Sequence, residues 1–245
     1  MKILCIGNSF SQDACCYLHD MAQHTGAEID TLNLFIGGCS LETHIYNLFF
    51  NKPYYKMEYN GTIKDENKMG SIQEALTQQD WDYISIQQVS YLSGKYESYQ
   101  PHLNRIISRV RDVRPNSKIL IHQTWAYDPQ HPKFPELYND CNDMYEKLTE
   151  AYSKAAEAIG AYMIIPCGEV IQKLRYLPQF DSQKGGAPLH RDLFHLSEVY
   201  GRYAAAATWY EKLLGNVKSC GFIPEGADPE LIEIIKQTVY EICKI

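Results

Sequence analysis

The chain has 245 residues, which suits one α/β domain, and its 45% hydrophobic and 22% charged residues predict a sizeable core. The formal net charge is −7, from 23 basic and 30 acidic residues, which argues against a nucleic-acid-binding protein. The arginines at positions 105, 109, 111 and 114 have the spacing of the solvated side of a helix, so we expect no nucleic-acid or membrane partner.

Signals for export, membrane insertion and metal binding are also weak. The chain passes from Lys2 into an apolar run at residues 3–6, which is too short for a signal-peptide core. No run of roughly 18 apolar residues is available to span a bilayer. We therefore expect a cytoplasmic protein, with a removed leader as the open alternative. The eight cysteines form no Cys-x-x-Cys pair and fit no zinc template, so we expect reduced thiols and no metal or cofactor.

The first part of the chain alternates strands and helices. An apolar run at residues 3–6 ends at Gly7, and helical spacing follows over residues 12–25. A second strand is predicted over residues 28–36. It stops at Gly37-Gly38, and Ser40 then opens a helix that runs to about residue 50.

Residues 53–65 interrupt this alternation. Tyr-containing segments with alternating character flank Asn60-Gly61, which is the strongest short-range signal for a β-hairpin. We expect a small hairpin inserted between helices, near the rim of the functional site. Both a role in lining a substrate groove and a role as a packing flap remain open.

The rest of the chain again alternates the two kinds of element. Helices are predicted over residues 71–79, 99–113, 135–159, 167–177, 196–214 and 228–243, and strands over 81–86, 117–122 and 162–165. Five strands separated by helices predict a five-stranded parallel sheet covered on both faces. No repeat or linker divides the chain, so one domain over residues 1–245 is expected.

Three of the predicted strands end in residues that suit a functional site: Gly7-Asn8-Ser9, Gly37-Gly38 and Gln87-Gln88. In an open parallel sheet the carboxyl ends of the strands meet at one edge, where ligands bind. Ser9 follows a strand and precedes a helix, a position that suits a nucleophile beside helix NH groups. The same position also suits a simple helix cap.

Asp192 and His195 lie three residues apart on a predicted loop that leads into a helix. Acyl transfer requires a nucleophile, a base and a group that orients the base. At this spacing a carboxylate can reach the imidazole while the other ring nitrogen faces a serine. Each residue alone also suits a cap or a packed polar side chain. Their combination with Ser9 favours a Ser-His-Asp triad over His190, which has no aspartate three residues before it.

With these motifs the chain resembles the SGNH, or GDSL-like, hydrolases over roughly residues 3–200. Gly7-Asn8-Ser9 corresponds to the family's Gly-Asp-Ser block, with Asn in place of Asp. Gly38 corresponds to the glycine of the second block, and Asp192 and His195 to the final Asp-x-x-His block. The third block, Gly-x-Asn-Asp in the family, is replaced by Gln87-Gln88-Val89-Ser90.

The resemblance implies a flavodoxin-like three-layer α/β/α sandwich and a serine esterase. It assigns Ser9 as nucleophile, His195 as base and Asp192 as the group that orients the base. It also implies an oxyanion hole made by the NH groups of Ser9 and Gly38, with the amide of Gln88 in place of the missing Asn. Many relatives deacetylate carbohydrates, so an O-acetyl ester on a sugar is the expected substrate.

Further residues at or just after the ends of the predicted strands are candidates for the substrate pocket: Asn8, Gln87, His122, Gln123 and Trp125. Trp125, with Tyr91 and Tyr127, suits the face of a sugar or a small acyl group, and a packing role is equally open.

Three functions other than carboxylic-ester hydrolysis remain open. A flavodoxin-like protein that binds phosphate on the first turn is one alternative, and a degenerate hydrolase that binds a glycan is another. Phosphodiester or thioester hydrolysis on the same triad is a third, and the oligomeric state is open.

Overall fold

The computed structural model describes residues 1–134 and 136–244, and its centre is one β-sheet. Within those residues the sheet has eight strands, which are β1 (Lys2–Gly7), β2 (Asp30–Phe35), β3 (Tyr55–Tyr59), β4 (Thr62–Ile63), β5 (Met69–Gly70), β6 (Tyr83–Ile86), β7 (Lys118–His122) and β8 (Met163–Ile165). Their order is β4-β3-β2-β1-β6-β7-β8, and β5 also pairs with β3. The first strand is therefore central, with its carboxyl end between those of β2 and β6.

The sheet is mixed, which corrects the prediction of a parallel sheet with a separate hairpin. The five predicted strands β1, β2, β6, β7 and β8 do pair in parallel. The hairpin, however, extends the sheet, because β3 pairs antiparallel with β2. An exposed edge strand has free NH and carbonyl groups, and the hairpin satisfies those of β2.

The hairpin turn lies away from the candidate site. Asn60 donates its NH to the carbonyl of Thr31, near the amino end of β2, at 3.0 Å. Ser9, by contrast, follows the carboxyl end of β1. Tyr55 and Met57 of β3 are buried in the core. The turn of the hairpin therefore does not lie at the rim of the site, and the hairpin packs as an extension of the sheet.

The described ranges also contain nine α-helices: α1 (Ser9–Cys15), α2 (Leu18–His24), α3 (Leu41–Phe49), α4 (Ile72–Gln78), α5 (His102–Val113), α6 (Cys141–Ile159), α7 (Cys167–Arg175), α8 (Tyr200–Leu214) and α9 (Pro229–Cys243). Helices α1, α2, α7, α8 and α9 pack together on one face of the sheet. Helices α3 to α6 form the layer on the other face. No helix in this part of the chain has the length and apolar character needed to cross a membrane.

Three of the predicted helices differ most from the structure. The helix expected over residues 12–25 is two helices, α1 and α2. The helix expected from residue 135 begins at Cys141, because Asp140 caps it by accepting the NH groups of Asn142 and Asp143; Pro135 itself lies outside the described residues. The helix expected from residue 196 begins at Tyr200, so His195 belongs to a loop.

Candidate active site

Ser9 is the first residue of α1, but it does not cap that helix. The cap is Asn8, whose Oδ1 accepts the NH of Phe10 at 3.0 Å, while Ser11 Oγ accepts the NH of Asn8 at 3.1 Å. A Cβ atom at Gly7 would overlap the Ser11 hydroxyl, so only glycine allows this close turn from β1 into α1. The capping role that the sequence left open for Ser9 is thus taken by its neighbour, and the Ser9 hydroxyl is available for other contacts.

The structure brings Ser9, His195 and Asp192 into one hydrogen-bonded chain. Ser9 Oγ lies 2.8 Å from His195 Nε2, and His195 Nδ1 lies 2.7 Å from Asp192 Oδ2. Asp192 is an acceptor only, so Nδ1 carries the donated proton and Nε2 is left to accept the Ser9 O–H. This order of contacts allows the imidazole to take the serine proton as the hydroxyl attacks.

Asp192 also shapes the loop that presents His195. Its Oδ1 accepts the backbone NH of His195 at 2.7 Å and that of Phe194 at 3.3 Å. Partial burial raises the pKa of this carboxyl, but the hydrogen bonds from the His195 side chain and the loop backbone outweigh burial and bring it below 3.8. Asp192 is therefore ionised at neutral pH, as a group that stabilises an imidazolium must be.

Trp125 supports the same loop from the core and does not line the cleft, which corrects its assignment to the substrate pocket. The side chain is fully buried and stacks on Phe10 with ring centroids 4.3 Å apart. Its Nε1 donates to the carbonyl of Phe194 at 2.8 Å. The indole therefore fixes the residue that precedes His195.

A buried ion-pair network, which the sequence did not reveal, ties α1 to the His195 loop. Asp13 is fully buried and accepts hydrogen bonds from Arg191 Nη1 at 2.9 Å, Arg202 Nε at 2.8 Å and the NH of Leu196 at 3.0 Å. A lone buried carboxylate is costly, and these donors compensate for its desolvation. Because the partners are more than 170 positions away along the chain, no local pattern marks Asp13.

The NH groups of Ser9 and Gly38 are the candidate oxyanion donors. Gly38 has φ +65°, a left-handed conformation that favours glycine, and both residues line the same cleft. Neither NH has an acceptor among the residues that the structure describes. Asn8 Nδ2 donates to the carbonyl of Cys39 at 3.1 Å, which anchors the Gly38 loop against the end of β1.

The structure corrects the assignment of Gln88 as an oxyanion donor. Its Nε2 donates to the Ser98 carbonyl and Ser98 Oγ, each at 3.0 Å. Its Oε1 accepts the NH of Leu41 at 3.0 Å and of Val89 at 2.9 Å. The side chain is fully buried and every polar atom is occupied, so Gln88 holds the start of α3 and does not face the cleft.

Gln87 stands behind Asn8, to whose Oδ1 its Nε2 donates at 2.8 Å. Gln87 is buried, and it is absent from the cleft wall within the described part of the chain. Its contact with the site is indirect, because Asn8 is the residue that reaches both the cleft and the Gly38 loop. The expectation that Gln87 lines the substrate pocket is thus corrected.

His122 and Gln123 are likewise structural residues, which corrects their assignment to the pocket. His122 is fully buried, its Nδ1 accepts Trp209 Nε1 at 3.1 Å, and burial lowers its pKa to about 3. Gln123 accepts the NH of Glu169 at 3.2 Å. The two side chains thus contact helices α8 and α7, respectively, and neither is among the described residues that line the cleft. The alternative base, His190, is buried, and burial lowers its pKa well below the ordinary value.

The cleft above Ser9 has a volume of about 490 Å³ and mainly aromatic and apolar walls. Its apolar lining includes Phe35, Val89, Tyr91, Tyr127, Leu137 and Phe194. Tyr91 and Tyr127 were candidates for this role from the sequence, whereas the others carried no such signal.

A larger apolar groove of about 850 Å³ between α3 and α5 shares no lining residue with the cleft. Within the described residues, no group of three or more His, Cys, Asp or Glu side chains is arranged to hold a metal ion.

The profile of the family described as a domain of unknown function, DUF4886, matches residues 2–242. The chain belongs to this family. The crystal structure of a DUF4886 family protein from Bacteroides uniformis is 37% identical, with 98% of this chain and 93% of that chain covered and a TM-score of 0.89. No curated protein matches the chain.

More distant structures share the fold. A protein from Slackia heliotrinireducens that is proposed to be an SGNH hydrolase is 22% identical, with 86% of this chain and 97% of that chain covered and a TM-score of 0.58. A catalytic mutant of an acetylxylan esterase from Geobacillus stearothermophilus is 12% identical, with 88% and 95% covered and a TM-score of 0.57. The DUF4886 chain therefore has an α/β fold similar to that of SGNH hydrolases.

Proposed function

We propose that this DUF4886 protein is a serine esterase of the SGNH type that hydrolyses a small acyl ester. The observation that carries the proposal is the chain of hydrogen bonds from Ser9 Oγ through His195 to Asp192, at 2.8 and 2.7 Å. A serine whose hydroxyl donates to an oriented, neutral imidazole is an activated nucleophile. The fold shared with SGNH hydrolases supports the same assignment.

In the acylation step, Ser9 Oγ attacks the ester carbonyl carbon while His195 Nε2 accepts the hydroxyl proton. The new C–O bond turns the carbonyl oxygen into an oxyanion, and the imidazolium is stabilised by the Asp192 carboxylate. Collapse of this intermediate breaks the bond to the alcohol, and His195 returns its proton to the leaving oxygen. The product is an acyl group on Ser9 and a free alcohol.

In the deacylation step, His195 takes a proton from water, and the resulting hydroxide attacks the acyl carbon. The second tetrahedral intermediate collapses with release of the carboxylic acid, and Ser9 regains its proton from His195. The NH groups of Ser9 and Gly38 stabilise the oxyanion in both steps. Two backbone donors are a sufficient oxyanion hole for acyl transfer, so the loss of Gln88 from this role is compatible with catalysis.

An O-acetyl group on a carbohydrate is the substrate class that we favour. The fold similarity to an acetylxylan esterase supports it, together with the dimensions of the cleft. A cleft of about 490 Å³ accommodates an acetyl group and a sugar ring, and Tyr91 and Tyr127 offer aromatic surface for the ring.

Hydrolysis of nitrophenyl acetate by the purified protein tests the proposal, beside its Ser9→Ala and Ser108→Ala variants. Ser108 is an exposed serine on α5 and serves as the matched control. We expect Ser9→Ala to lower kcat by at least about 1,000-fold, since the nucleophile is removed, and Ser108→Ala to match the parent protein. A fluorophosphonate probe should add its mass to the parent and the Ser108→Ala variant only.

Two results would contradict the proposal. One is hydrolysis that persists unchanged in a folded Ser9→Ala variant, which would place the nucleophile elsewhere. The other is a folded parent protein that neither hydrolyses any ester in a panel of acetylated sugars nor reacts with the probe. Circular dichroism of all three proteins confirms that the comparison is made between folded chains.

A further inference from the structure

The cleft above Ser9 is basic although the protein is acidic. The whole chain carries a formal charge of −7, with 30 acidic residues against 23 basic ones. Among the described residues that line the cleft there are two permanent cations, Lys133 and Arg191, and no aspartate or glutamate. The acidic surface repels anions, whereas the two cations of the cleft attract them, so charge at the cleft favours anionic over neutral substrates.

Arg191 is held in place with hydrogen-bond donors to spare. Its Nη1 contacts both carboxylate oxygens of the buried Asp13, at 2.9 and 3.1 Å, and also the carbonyl of Leu196. Its Nε and Nη2 groups have no acceptor within the described residues, and 30% of the side chain is exposed. A guanidinium that is fixed at one nitrogen and open at the others is pre-organised to bind a carboxylate.

Asp13 does not cancel the charge of Arg191, because it also pairs with Arg202 at 2.8 Å. Two guanidinium groups share this one carboxylate, and Glu58 and Glu198 also interact with Arg202, so Asp13 compensates the charge of Arg191 only in part. Asp192 and Glu198 lie on the same loop as Arg191; Asp192 is occupied by hydrogen bonds from His195 and from two backbone NH groups, and Glu198 interacts with Arg202.

Lys133 supplies the second cation from a different loop. Its side chain is exposed, and no carboxylate of the described residues lies within 4 Å of its Nζ. Burial and the positive charge of Lys133 lower the pKa of His131, which also lines the cleft, and they outweigh the opposing effect of the Asp128 and Asp192 carboxylates. Two separate segments, the one that carries Lys133 and the loop of residues 190–199, thus bring cations to one cleft.

We propose that the ester hydrolysed at this site carries a carboxylate beside the scissile bond, and that Arg191 and Lys133 bind it. This inference rests on the proposed function and narrows its substrate class to anionic esters. The carboxylate belongs either to the alcohol part, as in an acetylated uronic acid, or to the acyl part, as in a half-ester of a dicarboxylic acid.

Matched pairs of esters distinguish these two sources. For the acyl part, nitrophenyl acetate is compared with the nitrophenyl half-ester of succinate, which has the same leaving group. For the alcohol part, acetylated methyl glucoside is compared with acetylated methyl glucuronoside. Each kcat/KM is divided by the rate constant for hydroxide-catalysed hydrolysis of the same ester, which removes differences in intrinsic reactivity.

We expect the anionic member of at least one pair to be preferred by about fivefold or more. Lys133→Gln should lower kcat/KM for that ester about two- to fivefold relative to kcat/KM for the neutral ester, the usual effect of an exposed ion pair. Lys133→Glu, which also adds repulsion, should lower it on the order of tenfold. The control Lys173→Gln, an exposed lysine on α7, should change neither ester.

The inference is overturned if neither pair shows a preference for the anion, or if Lys133→Gln affects the neutral and anionic esters equally. Ser9-dependent hydrolysis without charge preference refutes this inference alone. Absence of Ser9-dependent hydrolysis on all four esters refutes the proposed function itself, so the two failures are distinguishable.

Discussion

Replacement of Gln88 by leucine separates a structural role for this residue from a catalytic one. In the structure, Oε1 of Gln88 accepts the NH groups of Leu41 and Val89, and Nε2 donates twice to Ser98. Leucine has a similar volume but no polar atoms, so Gln88→Leu removes these hydrogen bonds and leaves little cavity.

The expected loss of stability follows from the groups that remain buried. Two backbone NH groups lose their acceptor, and each such group costs about 1–3 kcal/mol, so the free energy of unfolding should fall by about 2–6 kcal/mol. Domains of this kind are stable by roughly 5–15 kcal/mol, so the effect is large but leaves a measurable folded population. The Gly38 loop precedes Leu41, and we expect its loosening to lower kcat of the folded fraction less than about tenfold.

Urea unfolding followed by fluorescence gives the stability, and ester hydrolysis at low temperature gives kcat for the folded variant. Gln78→Leu, at an exposed glutamine at the end of α4, is the matched control and should unfold like the parent protein. If Gln88→Leu keeps its stability within about 0.5 kcal/mol but loses about 100-fold or more in kcat, the reasoning fails. Gln88 would then act on the oxyanion, as one side-chain donor typically does.

Three further substitutions test two residues of the site and one residue of the core. Asp192→Asn should lower kcat about 100-fold or more with little change in KM in steady-state kinetics, because the carboxylate no longer stabilises the imidazolium. Asn8→Asp removes the hydrogen-bond donor to the Cys39 carbonyl, so kcat should fall about tenfold. The kcat of the variant relative to that of the parent protein should recover at low pH, because a protonated Asp donates again. Burial lowers the pKa of His122 from 6.5 to about 3, so the unfolded chain binds the extra proton. Stability should therefore decline as pH falls from 6.5 towards 3, and in urea titrations His122→Phe should reduce that decline by on the order of a few kcal/mol.

The elements that carry Ser9 and His195 were predictable because their signals are local. The apolar run of β1, the glycine that allows a tight turn and the three-residue spacing of Asp192 and His195 all lie within short windows of sequence. Parallel strand order then brings the carboxyl end of β1 to the sheet edge. The contact between Ser9 and His195, across 186 positions, was inferred from chemistry and is observed at 2.8 Å.

The burial of strand-terminal side chains was not predictable in the same way. Gln88 lies just after β6 and His122 ends β7, yet neither side chain reaches the cleft, because each is buried against partners from other elements. Which loop or helix crosses a strand end is decided by contacts between distant segments. The Asp13 network shows the same limit, since a charged residue on an amphipathic helix is normally solvated and its two arginine partners lie far along the chain.

The hairpin illustrates how local and distant information differ within one element. Its turn was predictable, since Asn60 and Gly61 both adopt the positive φ angles that such a turn requires. The strand with which the hairpin pairs was not predictable from local sequence. It is β2, which precedes the hairpin by about 20 residues and whose backbone groups the hairpin satisfies. The sheet consequently became mixed, while the parallel strands that position Ser9 were unaffected.

Two departures from the SGNH motifs, Asn8 and Gln87, act together in the structure. Asn8 Oδ1 accepts the NH of Phe10 and Nε2 of Gln87, while its Nδ2 donates to the carbonyl of Cys39. An aspartate at position 8 would accept the first two bonds but would repel that carbonyl. Asn8 therefore joins the turn that carries Ser9 to the loop of Gly38, and Gln87 fixes the orientation of the Asn8 amide. Because no Asn side chain follows β6, the proposed oxyanion hole depends on the NH groups of Ser9 and Gly38, and Asn8→Asp, which restores the Asp of the SGNH motif, should impair the site.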